Sequence, residues 1–157
     1  MVAISARYHV SQHFRVPAPV AFEWCTDYSP EDHALMGHRG SRKSSRVSDD
    51  TIILDDVNYS AGRPVRRRKL IRLDPRKLTY YNVHLSGPGR DSLFVYQIVP
   101  DGEGESRLEF SAFKVYHVKR KPTEEQFAKM VEADEASVHE EWANLARAME
   151  KDYRGKR

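Results

Sequence analysis

Residues 123–153 read TEEQFAKMVEADEASVHEEWANLARAMEKDY, and their spacing decides the fold. Phe127, Met130, Val131, Val138, Trp142, Leu145, Ala146, Met149 and Tyr153 recur at three- and four-residue steps, the stripe of an amphipathic helix. Pro122 precedes the stripe and lacks the amide that a strand ladder needs. Thr123 is placed to cap the helix, and Gln126 completes a capping box. Glu124 and Glu125 fall where the helix dipole favours negative charge, and Gly155 marks the end. A helix of ~30 residues spans ~45 Å, so part of it is expected to project past the surface it packs on.

Almost everything upstream reads as strand. Residues 6–16 alternate: Tyr8, Val10, Phe14 and Val16 are apolar, Arg7, His9, Ser11, His13 and Arg15 polar, with Gln12 on the apolar face. After Pro17, the run from Pro19 to Cys25 opens a short helix with proline in its first turn. Residues 29–32 read as the start of a second short helix finished by Gly37. Six strand-like runs follow at 42–48, 51–59, 65–73, 78–85, 92–99 and 107–118. The turns between them, Asp49-Asp50, Gly62-Arg63-Pro64, Asp74-Pro75-Arg76, residues 86–89 and residues 100–104, are short enough to make neighbouring strands antiparallel. The polar run 42–48 suits an edge strand. A single long helix closing a mainly β chain requires the sheet to curve around it, leaving a packed core or a cavity between them.

Composition bounds the rest. The 157 residues suit one domain spanning 1–157, with 39% hydrophobic and 31% charged residues in the range of a globular protein. No apolar run approaches the ~20 residues of a membrane-spanning helix, and MVAISARYHV lacks the basic and apolar regions of a secretion signal. The lone Cys25 excludes an internal disulfide and fits the cytoplasm; in VAFEWC it reads as a small packing residue. Charge is uneven. Residues 39–77 hold 12 Lys/Arg against 5 Asp/Glu, while residues 123–152 hold 3 against 9. A basic sheet region and an acidic helix result.

The order strand, two short helices, six strands, long helix, together with the entry sequence FRVPAPVAFEW at residues 14–24, resembles the START-like or Bet v 1-like superfamily (SRPBCC proteins). The resemblance covers nearly the whole chain. It implies a helix-grip α+β fold: a curved antiparallel sheet of about seven strands wrapped around the C-terminal helix, with an apolar cavity between them. It leaves the chemistry open, because the superfamily includes lipid carriers, hormone binders, polyketide cyclases and aromatases, and ring hydroxylase subunits.

Polar residues on inward faces are the candidates for a site in such a cavity. Alternation in the run 78–85 gives two faces, Leu78, Tyr80, Asn82 and His84 or Thr79, Tyr81, Val83 and Leu85. If the first faces the cavity, it offers a phenol, an amide and an imidazole, and Phe94, Tyr96 and Ile98 form a similar face on the next run. Asp134 borders the helix stripe between Met130 and Val138, where it is placed to join Tyr96, His84 or Gln12. The expected cavity residues are therefore Gln12, Tyr80, Asn82, His84, Phe94, Tyr96, Met130, Asp134 and Val138. If the cavity is catalytic, His84 is the candidate base and Tyr96 or Tyr80 the hydrogen-bond donor. Along Arg66-Arg67-Arg68-Lys69 the faces alternate, so only one face, such as Arg67 and Lys69, is expected to sit at the cavity mouth and meet an acidic ligand group.

Other chemistries lack support. His9 and His13 lie two pleats apart, about 13 Å by strand rise, too far to share one metal ion. Asp32, His33 and His38 match no metal-ligand spacing. One cysteine cannot supply a Rieske cluster, and no cofactor is expected. Neither glycine pair at 87–89 or 102–104 opens a helix, so neither cradles phosphate. Three functions stay open: a carrier or sensor of a small hydrophobic molecule, a cyclase- or aromatase-type enzyme, and a basic surface for an anionic partner, nucleic acid being the less expected partner. Oligomeric state is not readable.

Overall fold

The computed structural model describes residues 1–156, with the His33 side chain outside that description. Its elements are β1 (Val2–Phe14), α1 (Ala18–Cys25), α2 (Asp32–Leu35), β2 (Gly40–Ser48), β3 (Thr51–Ser60), β4 (Arg63–Asp74), β5 (Thr79–His84), β6 (Leu93–Pro100), β7 (Ser106–Val118) and α3 (Glu124–Gly155). The seven strands form one antiparallel sheet in the order β1-β7-β6-β5-β4-β3-β2. Hairpins run in sequence from β2 to β7, and α1 and α2 carry the chain from one edge, β1, to the other, β2. The sheet curves around α3, which packs on β1.

Side-chain alternation produces the layer between them. Tyr8, Val10 and Phe14 of β1, Leu108, Phe110 and Ala112 of β7, Phe94 and Ile98 of β6, Tyr80 of β5, Ile71 of β4, and Ile52 and Leu54 of β3 are all buried on one face. Trp142, Leu145, Ala146 and Met149 of α3 close that face. The buried stripe of α3 therefore belongs to its C-terminal half, and the N-terminal half extends beyond with only partly buried apolar residues. The capping box forms: Thr123 Oγ1 accepts from the Gln126 amide at 3.1 Å, and Gln126 Oε1 accepts from the Thr123 amide at 2.9 Å.

Three boundaries differ from the sequence reading. β1 begins at Val2 because it pairs with β7 along its whole length, from Val2 opposite Val118 to Phe14 opposite Ser106. The β3–β4 turn is Ala61-Gly62, both at positive φ, so Arg63 and Pro64 already belong to the ladder. α2 starts at Asp32, and its N-cap Glu31 makes no side-chain cap.

Candidate ligand cavity

Between the concave face and the C-terminal half of α3 lies a cavity of about 440 Å³. Its sheet wall comes from Tyr8 of β1, Tyr80, Asn82 and His84 of β5, Phe94 and Tyr96 of β6, and Phe110 of β7. Val138, Glu141, Trp142 and Leu145 line it from α3, and Trp24, Cys25 and Tyr28 from α1 and the loop after it. The wall follows from register. Tyr80 opposes Tyr96 across β5 and β6, and Tyr96 opposes Phe110 across β6 and β7, so one inward row is aromatic on three successive strands. Tyr80 and Tyr96 stack at 4.4 Å with planes 2° apart, and Tyr96 meets Phe110 edge-on at 5.0 Å. Trp142 approaches Tyr96 from the helix at 6.0 Å. Such pairs contribute about 0.5–1.5 kcal/mol each beyond area burial, which makes a stiff wall.

A buried ion network supports one end. Asp56 is 1% exposed and accepts from Arg42 Nε (2.8 Å), a second Arg42 nitrogen (3.0 Å) and Lys69 Nζ (2.8 Å). Arg42 reaches on to Asp32 at 3.1 Å, tying α2 to the β2 edge. Burial alone would penalise the Arg42 charge, but the Asp56 and Asp32 carboxylates outweigh it and hold its pKa above the usual value. Lys69 is pulled below its usual range by burial, against the opposing attraction of Asp56.

Next to this network sits His84. Burial lowers its pKa to about 3, with the charges of Lys69, Lys114 and Arg67 acting the same way. The ring is therefore neutral near neutral pH. Its Nδ1 is buried without a hydrogen-bond partner, as is Asn82 Oδ1 two residues earlier on the same face. Burial also raises the phenols of Tyr96 and Tyr80 well above their usual value; the Asn82 amide, hydrogen-bonded to Tyr96, pulls that phenol the other way. The Cys25 thiol is pushed up by burial too, so it is no thiolate nucleophile.

Of the residues selected from sequence, Tyr80, Asn82, His84, Phe94, Tyr96, Val138, Arg67 and Lys69 line the cavity. Gln12, Met130 and Asp134 do not. Gln12 shares the inward face of β1 but turns its amide to the neighbouring His13 carbonyl at 3.0 Å. Met130 lies on the half of α3 that runs past the buried core. Asp134 accepts from the Tyr116 hydroxyl at 2.5 Å and approaches Lys114 at 3.9 Å, so its partners are on β7 rather than Tyr96, His84 or Gln12. Sequence reasoning missed Arg42, Asp56, Tyr28 and Lys114. For Asp56 the signal was present: it alternates with Ile52 and Leu54, which places it on the inner face.

On the outer face, His9 and His13 pair with Glu109 (2.5 Å) and Glu105 (2.8 Å). Arg68 binds Asp55 there at 2.7 Å. Among the described residues no group of three or more His, Cys, Asp or Glu is arranged to hold a metal ion. The His33 side chain, one of the metal candidates, lies outside the described residues. No described helix is long and apolar enough to cross a membrane.

This architecture is the START-like, Bet v 1-like helix-grip fold. Solved structures that share it include the following three. The Zhui aromatase/cyclase from Streptomyces sp. R1128 superposes with a TM-score of 0.73 at 13% identity, covering 95% of this chain and 93% of that one. Norcoclaurine synthase from Thalictrum flavum, in complex with dopamine and hydroxybenzaldehyde, gives 0.70 at 16% identity over 99% of this chain and 90% of that one. A START superfamily protein from Mycobacterium smegmatis gives 0.68 at 12% identity over 96% of this chain and 99% of that one. No family model and no curated protein matches the chain by sequence.

Proposed function

We propose that the chain, acting as a single START-like domain over residues 1–157, binds one small hydrophobic molecule of lipid, polyketide or aromatic type between the sheet and α3, as a carrier or sensor. The aromatic row Tyr80, Tyr96, Phe110 facing Trp142 carries this reading. At about 440 Å³ the space suits a small-molecule site, which is typically ~300–1,000 Å³ and mostly apolar with a few placed polar groups. The lone Cys25 fits a reducing compartment, which favours the cytoplasm. No cofactor is invoked.

A second reading, a cyclase- or aromatase-type enzyme, draws on the inward polar row of Tyr96, Asn82 and His84 and on two neighbours whose names are those of enzymes. His84 weighs against it. A general base works best with a pKa near the operating pH, and a ring held at about 3 accepts a proton poorly. A basic-surface role draws less support still, because outward Arg68 is paired with Asp55 and outward Arg72 with Asp50.

Native mass spectrometry of the protein taken from its own cells tests the reading. A stoichiometric apolar adduct is expected. Bare protein, unshifted by a panel of fatty acids, sterols and aromatic polyketides, would contradict it.

A further inference from the structure

The cations lining the cavity are not equally engaged. Arg42 and Lys69 converge on Asp56, and Arg42 also holds Asp32. Arg67 is the register partner of Asp56 across β3 and β4, but Arg42 and Lys69 occupy both Asp56 oxygens. Arg67 instead turns toward the loop 86–89, donating Nε to the Pro88 carbonyl at 3.2 Å, and makes no ion pair among the described residues. The rest of its planar fork remains for a ligand. Lys114 enters from the inner face of β7; the carboxylate nearest it, Asp134, stands at 3.9 Å and already accepts from Tyr116. The remaining lining carboxylate, Glu141, pairs with His38 on the helix side at 3.0 Å.

His84 lies beside these two cations. Its Nδ1 is sealed and unpartnered. An orphaned acceptor costs less than an orphaned N–H donor, so the proton belongs on Nε2, the ring nitrogen that is not sealed, on a residue that lines the cavity. The neutral ring then offers a donor rather than an acceptor. Burial is the main cause of its low pKa; the charges of Lys69, Lys114 and Arg67, set against Asp56, act in the same direction.

We infer that Arg67, Lys114 and His84 Nε2 form an oxyanion-recognising end of the cavity, so that the ligand carries a singly charged group such as a carboxylate on its apolar body. This rests on the ligand-binding reading above and narrows it to acidic molecules. A guanidinium fork matches a planar carboxylate with two parallel bonds, and partial burial strengthens both.

Two fluorescent probes that differ by one sulfonate separate the claims: 1-anilinonaphthalene-8-sulfonate and neutral N-phenyl-1-naphthylamine. The sulfonate is expected to bind about tenfold more tightly. Arg67→Gln should weaken the sulfonate about fivefold or more and leave the neutral probe within about twofold. Arg67→Lys, which keeps the charge without the fork, should recover part of the preference. Arg66→Gln, the same charge loss on the outer face, should change neither. Equal affinities for the two probes, or equal losses from Arg67→Gln and Arg66→Gln, would overturn the oxyanion site while leaving the cavity reading standing. Binding of neither probe would remove the cavity reading and the oxyanion site with it.

Discussion

Tyr80 and Tyr96 lie face to face across β5 and β6, their planes 2° apart and their centroids 4.4 Å apart, and the pair forms the middle of the cavity wall. Phe22 and Tyr28 also meet Tyr80 edge-on at 6.0 and 6.5 Å, so α1 and the loop after it brace the stack. A wall braced in this way keeps its shape without an occupant. Preorganisation of that kind lowers the ordering cost of binding.

The stack gives a stability prediction. Tyr80 is 2% exposed. Tyr80→Ala should destabilise the fold by about 3–5 kcal/mol, as large-to-small core substitutions of aromatics do. Tyr80→Phe keeps the ring and should cost about 1 kcal/mol. Urea unfolding of the two variants reads the difference, and equal losses would show that the ring is not what holds the wall.

Adjacent aspartates should behave in opposite ways. Asp56→Asn keeps the shape but leaves Arg42 and Lys69 buried without their shared counter-charge, at a cost of about 3–5 kcal/mol. Asp55→Asn breaks only the exposed pair with Arg68 and should cost under about 1 kcal/mol. Denaturant midpoints measured side by side check the ranking.

His84 makes stability depend on pH with a definite sign. Its folded pKa of about 3 lies below the ordinary 6.5, so between these values the unfolded chain binds a proton that the folded chain refuses. The contribution is fully present above about pH 6.5 and is lost as pH falls toward about 3, with a limiting slope of about 1.4 kcal/mol per pH unit. Glu109, held at about 2 by Ser11, Arg107 and His9, adds a loss of the same sign at lower pH. Comparison with His84→Gln isolates the histidine: the variant should show a shallower fall between about pH 6.5 and 4. Identical profiles would contradict the assignment.

Gly87 sets the position of the loop that holds Arg67. It has φ +80°, and a Cβ there would lie 2.2 Å from the Arg66 carbonyl oxygen. Gly87→Ala must push the loop off β4, moving the Pro88 carbonyl that Arg67 Nε engages. A loss of about 1–3 kcal/mol is expected. Amide shifts in residues 84–92 larger than those at Gly102, which has open space around it, would locate the damage.

The fold was legible because its signals are local. Thr123 and Gln126 mark the helix start within four residues, and alternation around Tyr80 and Asn82 separates the two faces of β5, though not which of them points inward. The polar β2 is indeed an edge strand. The docking of α3 was not legible. A nine-residue apolar stripe does not say which turns meet the sheet, so Met130 and Asp134 looked equivalent to Val138 although only Val138 lines the cavity. The partner of a buried charge is equally non-local. Nothing in the polar run 42–48 distinguishes Arg42 from Lys43, yet Arg42 turns inward to Asp56 and Lys43 stays exposed.

The most direct test of the ligand-binding claim is a backbone and aromatic NMR titration with neutral N-phenyl-1-naphthylamine. Saturable shifts should concentrate at Tyr80, Asn82, Phe94 and Tyr96 on the sheet and at Trp142 on α3, while the outer-face residues His9, His13 and Ser111 stay unmoved. Shifts confined to the outer face, or none at saturating probe, would contradict the account.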